Sequence, residues 1–341
     1  MIDFTKIGII GEGKMGSSIF HYLLGFSYEL VWVVSQKAEI EKVSKQFIKR
    51  INRSLEAGII DQQQFERLRQ TKISHELSEL NDCELIIEAI PEDAELKKAL
   101  FLQLDSLLMP GAIFTSNSSS INPSQIAPEG DRSGNFVGLH FFYPVALKDI
   151  VEVTVSENTT QQTLSRIDLF LHEIQRQYIK LDEENSFILN KIFLDFQNEA
   201  FLIVHSGNCS YKQMDLIVRE NFFPHGVFDF CDSVGIDTMY NAILNYTINY
   251  PDKSNYSLLL SKLSDLISHG RLGMKSQGGF YQYPACELDD ETSANDSEIL
   301  ERLNHSWFSA VTRFTKMANI PIETVNRAIK EYFGISEGPF G

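Results

Sequence analysis

Cysteine is scarce in this sequence, and the cysteines it has are far apart. Cys83, Cys209, Cys231 and Cys286 form no CxxC pair, so neither a zinc site nor a disulfide framework is indicated. We therefore expect a protein without a bound metal, in a reducing compartment such as the cytoplasm.

Positive charge is scarce as well. The chain has 30 lysines and arginines against 46 aspartates and glutamates, which gives a formal net charge of −16. Nucleic acids and anionic membranes are bound through an excess of lysine and arginine. We expect neither as a partner, and any anionic ligand must be bound by local donors.

Long apolar runs are missing too. No run reaches the roughly 18 residues of a membrane span, and the N-terminus, MIDFTKIGIIGEGKMG, has no basic segment ahead of its apolar residues. A signal peptide is therefore not expected. The composition is that of an ordinary globular protein, with 43% hydrophobic and 22% charged residues among 341. That length predicts two or three domains.

Short apolar runs rich in β-branched residues alternate with helical segments in the first half of the chain. Residues 6–10 (KIGII) and 30–34 (LVWVV) flank a helical segment from Met15 to Leu24, the pattern of a βαβ unit. A helix is predicted from about Glu39 to Leu68. Further strands are predicted at residues 85–90, 112–117, 135–142 and 150–156. This order predicts an α/β Rossmann domain at residues 1–184.

Helical spacing dominates from Thr159 onward, for example in residues 187–207, and few strands are predicted there. An all-α domain is therefore predicted at residues 185–284, and the acidic segment 285–297 is expected to be a linker. Residues 297–341 are predicted to be a second, partial copy of the helical domain. The repeat places Asn208, Met214 and Val218 111 residues before Asn319, Val325 and Ile329, and PHGVF (224–228) opposite SEGPF (336–340).

A GxGxxG motif lies between the first strand and the first helix, at Gly11, Gly13 and Gly16. In dinucleotide-binding folds the three glycines allow a tight turn, close approach of the pyrophosphate and packing of the helix on the strand. The helix N-terminus adds amide donors and partial positive charge. The motif predicts a nicotinamide dinucleotide bound at these glycines and at the intervening Lys14 and Met15.

The acidic residue that usually ends the second strand, and binds the adenosine ribose, is missing. Ser35 stands at this position, nineteen residues after Gly16, and Lys37 follows two residues later. A neutral serine near a lysine tolerates a 2′-phosphate, while NAD could bind with one fewer hydrogen bond. We expect NAD with an unusually weak preference over NADP, and NADP stays open.

One histidine and one glutamate interrupt two successive apolar strands. His140 lies in GLHFFYP and Glu152, twelve residues later, in IVEVTV. Adjacent strands joined by a short loop would bring the two side chains together, and a carboxylate fixes the tautomer of an imidazole that accepts a proton. Spacing alone leaves a second interpretation open, in which His140 is a buried histidine with a satisfied hydrogen bond.

Six segments, in order along nearly the whole chain, resemble the 3-hydroxyacyl-CoA dehydrogenase family. They are IGIIGEGKMG (7–16), IIEAIPEDAELKKALF (86–101), SNSSSI (116–121), GLHFFYPVALKDIVEV (138–153), FILNKIF (187–193) and RLGMKSQGGFY (271–281). The resemblance implies an oxidoreductase that interconverts L-3-hydroxyacyl and 3-ketoacyl thioesters, CoA-linked, in fatty-acid or related acyl metabolism. It also implies a homodimer formed by the helical domain, although residues 297–340 could cover the same face.

The resemblance implies roles for individual residues. His140 would be the general base, oriented by Glu152, while Ser119 would hydrogen-bond the substrate oxygen and Asn190 would assist from the helical domain. Three further positions match the cofactor side of the family's cleft, namely Glu92, Lys97 and Asn117. From the residues alone, Glu92 and Lys97 could equally be a solvated helix start.

The sequence also departs from the family pattern. Tyr143 replaces the asparagine of HFFNP and is expected to place a larger ring beside His140, and Ser186 replaces a glycine. The basic residues of the family's helical insertion have no clear counterpart in SLEAGII (54–60). This leaves three alternatives open: an acyl chain on a carrier protein, a non-thioester 3-hydroxy acid such as carnitine, and a dinucleotide-binding protein without turnover.

Overall fold

The computed structural model describes residues 4–248, 253–284 and 296–340. The chain divides into two compact units, Met1–Ser186 and Phe187–Gly341. Most of the expected linker at residues 285–297 lies outside the described residues. Among the described helices, none combines the length and apolarity that crossing a bilayer requires.

A single mixed sheet forms the centre of the first unit. Its strands are β1 (Lys6–Ile10), β2 (Glu29–Val33), β3 (Lys72–Ser74), β4 (Leu85–Glu88), β5 (Ile113–Ser116), β6 (Phe136–Phe141), β7 (Ile150–Val155) and β8 (Gln177–Asp182). They lie in the order β3-β2-β1-β4-β5-β6-β7-β8. Every neighbouring pair is parallel except β6 and β7, which are antiparallel.

Helices cover both faces of this sheet. They are α1 (Lys14–Leu23), α2 (Lys37–Glu56), α3 (Gln62–Arg69), α4 (Ala94–Leu107), α5 (Pro123–Ile126) and α6 (Gln161–Glu173). Phe20 of α1, Phe47 of α2 and Phe170 of α6 belong to one apolar cluster, and Phe101 of α4 belongs to a second. The central strands are buried on both faces, which explains their continuous apolar runs. The predicted Rossmann architecture is thus confirmed.

Three local predictions were wrong. The single helix expected from Glu39 to Leu68 is two helices, because the backbone at Gly58 has a φ of +67° and Asp61 begins α3 with a capping box that includes Gln64. Strands β3 and β8 were not predicted. β3 has three residues, and β8 lies at the sheet edge, where buried and exposed side chains alternate.

The second unit is all-helical in its described part. Its helices are α7 (Ile188–His205), α8 (Tyr211–Asn221), α9 (Val227–Val234), α10 (Ile236–Tyr246), α11 (Ser257–Ser268), α12 (Asp296–Met317) and α13 (Ile322–Phe333). Twelve of the 18 residues of α7 are buried, as expected for a helix that is apolar on most sides. Trp307 of α12 packs its ring 6.0 Å from that of Phe196, and Phe333 of α13 packs 5.1 Å from Phe193. The C-terminal segment therefore completes the core around α7.

Two buried aspartates tie loops to helices in the second unit. Asp215 accepts hydrogen bonds from the backbone N–H groups of Phe228 and Asp229, and Asp232 accepts them from those of Phe280 and Tyr281. A Cβ at Gly226 or at Gly279 would overlap with one of these carboxylates. Within the segment 271–281, Gly279 is thus required by the Asp232 carboxylate.

Candidate active site

The glycine motif forms the turn from β1 into α1. Gly11 has a φ of +112°, and a Cβ at Gly16 would overlap with the carbonyl oxygen of Gly11. At Gly13, the N-cap of α1, no atom lies within 4 Å of the Cβ position, and no side chain caps the helix. The N-terminus of α1 is therefore uncapped and uncrowded at Gly13, as binding of a pyrophosphate there requires.

The two residues between Gly13 and Gly16 differ in environment. Lys14 is exposed, and its Nζ lies 6.0 Å from the ring centroid of Tyr143. Met15 is half-buried and packs against the apolar cluster of α1 and α2. Lys14 is thus placed to contact a ligand at the motif, whereas Met15 supports the helix.

A carboxylate from the glycine motif lies at the end of β2. Glu12 accepts a 3.0 Å hydrogen bond from the backbone N–H of Ser35 and a second one from the Ser35 hydroxyl. The sequence predicted a binding role for the motif glycines but none for Glu12. Its contact joins residues 23 apart, and no local pattern indicates it.

The side chain of Glu92, which precedes α4, reaches the turn that follows β5. Its Oε1 accepts hydrogen bonds from the hydroxyl of Ser118 at 2.6 Å, from the N–H of Ser119 at 3.0 Å and from the N–H of Ser120 at 2.9 Å. The carboxylate therefore fixes the backbone conformation that presents Ser119. Asn117 accepts a 2.9 Å hydrogen bond from the N–H of Phe141, which links the same turn to β6.

Lys97 is buried, which excludes the interpretation of a solvated helix start for this residue. Its side chain is 1% exposed, and its Nζ lies 2.6 Å from Oε1 of Glu88, which is fully buried. Glu88 also accepts hydrogen bonds from the Ser116 hydroxyl and the Ile90 N–H. Burial raises the pKa of Glu88, while the Lys97 ammonium opposes that rise. This pair joins the end of β4 to α4, and Lys97 also donates a 3.2 Å hydrogen bond to the carbonyl of Ile90.

His140 and Glu152 lie directly opposite each other on β6 and β7. The distance from Nδ1 of His140 to Oε2 of Glu152 is 2.9 Å, and both side chains are buried. A hydrogen bond donated by Nδ1 places the lone pair of the imidazole on Nε2. The geometry therefore produces an oriented imidazole that can accept a proton from a bound alcohol.

The aromatic neighbour of His140 differs from the expectation. The ring of Phe142 lies 4.4 Å from that of His140. Tyr143 is 55% exposed and lies near Lys14 instead. Ser186, the second departure from the family pattern, is buried and donates a 2.7 Å hydrogen bond to Asn122. A serine at this position is thus accommodated by a polar partner.

Asn190 belongs to the second unit, in the first turn of α7. Its Nδ2 donates a 2.8 Å hydrogen bond to the hydroxyl of Tyr246, and its Oδ1 accepts one of 2.8 Å from the hydroxyl of Tyr332. Neither tyrosine was singled out in the sequence. Both are distant from Asn190 along the chain, by 56 and 142 residues.

Within the ranges described, no group of three or more His, Cys, Asp or Glu side chains is placed to hold a metal ion.

Two family models match the chain. The NAD binding domain of 3-hydroxyacyl-CoA dehydrogenase matches residues 6–184, and the C-terminal domain of 3-hydroxyacyl-CoA dehydrogenase matches residues 187–283. Together they cover the first unit and the helical part that precedes α12.

Curated relatives agree with these models. A 3-hydroxybutyryl-CoA dehydrogenase of Bradyrhizobium diazoefficiens is 28% identical over 283 residues, covering 82% of this chain and 95% of the relative. A probable 3-hydroxybutyryl-CoA dehydrogenase of Deinococcus radiodurans is 30% identical over 282 residues, covering 82% and 100%.

Solved structures share the fold. FadB2 of M. tuberculosis has a TM-score of 0.72 at 26% identity, covering 82% of this chain and 99% of that one. A 3-hydroxybutyryl-CoA dehydrogenase of Escherichia coli has a TM-score of 0.81 at 17% identity, covering 98% and 90%. The second likeness is one of fold alone, and its coverage includes the C-terminal helices.

Proposed function

Because the chain belongs to the 3-hydroxyacyl-CoA dehydrogenase family, we propose that it interconverts L-3-hydroxyacyl-CoA and 3-ketoacyl-CoA with a nicotinamide dinucleotide. The observation that carries this proposal is the buried pair of His140 and Glu152, with Nδ1 and Oε2 2.9 Å apart. It supplies an oriented proton acceptor in the same unit as the glycine motif. Neither a non-thioester substrate nor binding without turnover is favoured by the comparisons.

In the oxidation, the hydroxyl proton of the substrate moves to Nε2 of His140 while the C3–H bond breaks and the C3=O bond forms. A bound nicotinamide dinucleotide supplies the acceptor for the hydride that leaves C3. Glu152 stabilises the imidazolium that results and keeps the ring in place. In the reduction, the same nitrogen returns the proton to the oxygen.

We assign the reacting oxygen two hydrogen-bond donors. Ser119 is one, because the Glu92 contacts fix the backbone of its turn. Asn190 is the other, because its amide is oriented by two tyrosine hydroxyls. Donors that are oriented before the reaction stabilise developing charge without reorganisation.

The residues of the glycine motif fit a dinucleotide. The open space at Gly13 and the uncapped N-terminus of α1 would accept the pyrophosphate, with Lys14 beside it. The proposed cofactor is NAD. A weak preference over NADP was expected because no acidic residue ends β2. The Glu12 carboxylate, however, lies at that strand end, beside Ser35.

We propose CoA as the acyl carrier. Residues 54–60 carry no basic side chain, but α2 presents Lys45, Lys49 and Arg53 on one face, where Lys45 also pairs with Glu41. Cations one turn apart on a helix suit the adenosine phosphates of CoA.

We also propose that the protein acts in fatty-acid metabolism, is located in the cytoplasm and forms a homodimer. These proposals rest on the family resemblance and, for the compartment, on the scarcity of cysteine. Light scattering of the intact chain tests the dimer, and a monomer mass would contradict it.

A spectrophotometric assay tests the function directly. Acetoacetyl-CoA, acetoacetyl-pantetheine and free acetoacetate are each offered with NADH, and oxidation of NADH is followed. We expect the CoA thioester to be reduced fastest and the free acid to be inactive. Equal rates with CoA and pantetheine thioesters would contradict the CoA assignment, and inactivity with both thioesters would contradict the proposed reaction.

A further inference from the structure

The carboxylate of Glu12 is held at the carboxyl end of β2. Its oxygens accept hydrogen bonds from the N–H and the hydroxyl of Ser35. The loop that carries it is itself fixed to β2, because the N–H of Gly11 donates to the carbonyl of Val33 and the indole N–H of Trp32 donates to the carbonyl of Gly11, both at 2.9 Å. The negative charge is thus fixed in position although it comes from another part of the chain.

We propose that Glu12 performs the task of the acid that β2 lacks and makes the site selective for NAD over NADP. This inference rests on the proposed function, in which the glycine motif binds a nicotinamide dinucleotide. In Rossmann folds the acid at the end of β2 binds the ribose 2′-hydroxyl of NAD. Glu12 reaches the same strand end from the turn that carries the glycine motif.

The hydrogen-bonding capacity of Glu12 suffices for this task. A carboxylate offers about four acceptor positions, and Ser35 uses two of them. The others can accept the two hydroxyls of the adenosine ribose. A 2′-phosphate carries no hydroxyl at that position and brings negative charge to the carboxylate.

Lys37 opposes this selectivity, but its effect is smaller. It is exposed, at the first residue of α2, and an exposed ion pair changes affinity by less than about tenfold. Like charges held together in a binding site reduce affinity by about tenfold to several hundredfold. Glu12 is fixed by two hydrogen bonds, so its repulsion exceeds the attraction of a mobile lysine. The chain should therefore prefer NADH strongly.

Binding of NADH and NADPH to the full-length protein tests the inference without any acyl substrate. Nicotinamide fluorescence gives both Kd values for the wild type and for Glu12→Gln, which keeps the size of the side chain and removes its charge. Glu66→Gln, at an exposed position of α3, is the matched control for the loss of one charge. Thermal unfolding confirms that each variant is folded.

We expect the wild type to bind NADH about a hundredfold more tightly than NADPH. In Glu12→Gln, NADPH binding should tighten by about tenfold or more, whereas NADH binding should weaken severalfold because the charged acceptor of the ribose hydroxyls is lost. Glu66→Gln should match the wild type. Tight NADH binding with the same selectivity in Glu12→Gln would overturn this inference alone. Failure of the wild type to bind either dinucleotide would overturn the proposed cofactor and the inference together.

Discussion

The hydroxyl of Tyr332, near the end of α13, donates a 2.8 Å hydrogen bond to Oδ1 of Asn190 in the first turn of α7. On the other side of the same amide, Nδ2 donates to the hydroxyl of Tyr246. The orientation of the Asn190 amide is thus set by residues from α10 and α13. The C-terminal helices therefore support a residue proposed to act on the substrate, in addition to covering α7.

Tyr332→Phe should lower kcat by about threefold to tenfold with a smaller change in KM. The variant removes one hydrogen bond, with a net value of about 0.5–1.5 kcal/mol, and frees the Asn190 amide to turn. Steady-state kinetics with acetoacetyl-CoA and NADH measure the effect, and Tyr240→Phe on α10 is the control. A lower melting temperature with an unchanged kcat would show that Tyr332 is only structural.

His140→Gln should lower kcat by about 10²–10⁴ while NADH binds as in the wild type, because the variant removes the proton acceptor and leaves the glycine motif intact. Glu152→Gln should be similarly damaging. Rapid-mixing kinetics and NADH titration separate turnover from binding. His172→Gln, an exposed histidine on α6, serves as the control. Wild-type turnover in His140→Gln would contradict the proposed mechanism.

Lys97→Met should destabilise the protein by about 3–5 kcal/mol, because it leaves the fully buried Glu88 carboxylate without its cation. Lys98→Met, at the exposed neighbouring position, should change the free energy of unfolding by about 0.5 kcal/mol or less. Urea denaturation measures both. The double variant Glu88→Gln/Lys97→Met should recover part of the loss. If Lys97→Met were as stable as Lys98→Met, the pair would not hold β4 to α4.

The stability of the protein should depend on pH through Asp215. Burial raises the pKa of this carboxyl to about 6 from 3.8, although Phe228, Asp229 and Tyr281 donate hydrogen bonds to it. The folded state therefore binds a proton more tightly than the unfolded state, so this group adds stability as pH falls from about 6 toward 4.

Asp215→Asn removes this titration. The difference in unfolding free energy, wild type minus variant, should increase by about 2 kcal/mol between pH 6 and pH 4. Urea denaturation at a series of pH values measures it, with the exposed Asp265→Asn as control. A difference that stays constant over this range would contradict the raised pKa.

The elements that the sequence predicted are each determined by a short stretch of neighbouring residues. β1 and β2 are short, mainly apolar runs, and the turn at Gly13 follows from a motif of six residues. β8 was missed because exposed Gln177, Lys180 and Asp182 interrupt its apolar positions, as happens on a strand at a sheet edge.

The site residues that were missed have distant partners. Glu12 acquires its position only when β2 lies beside β1, which brings Ser35 to it. Tyr332 contacts Asn190 across 142 residues. Lys97 was singled out in the sequence, but its partner Glu88 was not, because Glu88 belongs to a strand that otherwise looks like uniform core. Spacing along the chain cannot indicate such contacts, because each is created by the packing of separate elements.

The packing of α12 and α13 around α7 has a consequence for biosynthesis. Arg302 and Arg313 of α12 form ion pairs with Glu199 and Asp195 of α7, which precede them by more than 100 residues. During translation, α7 leaves the ribosome well before these partners are synthesised. Its apolar surface stays uncovered until then. The first unit can fold as soon as β8 has emerged, whereas the second unit can reach its final packing only after α12 and α13 have emerged.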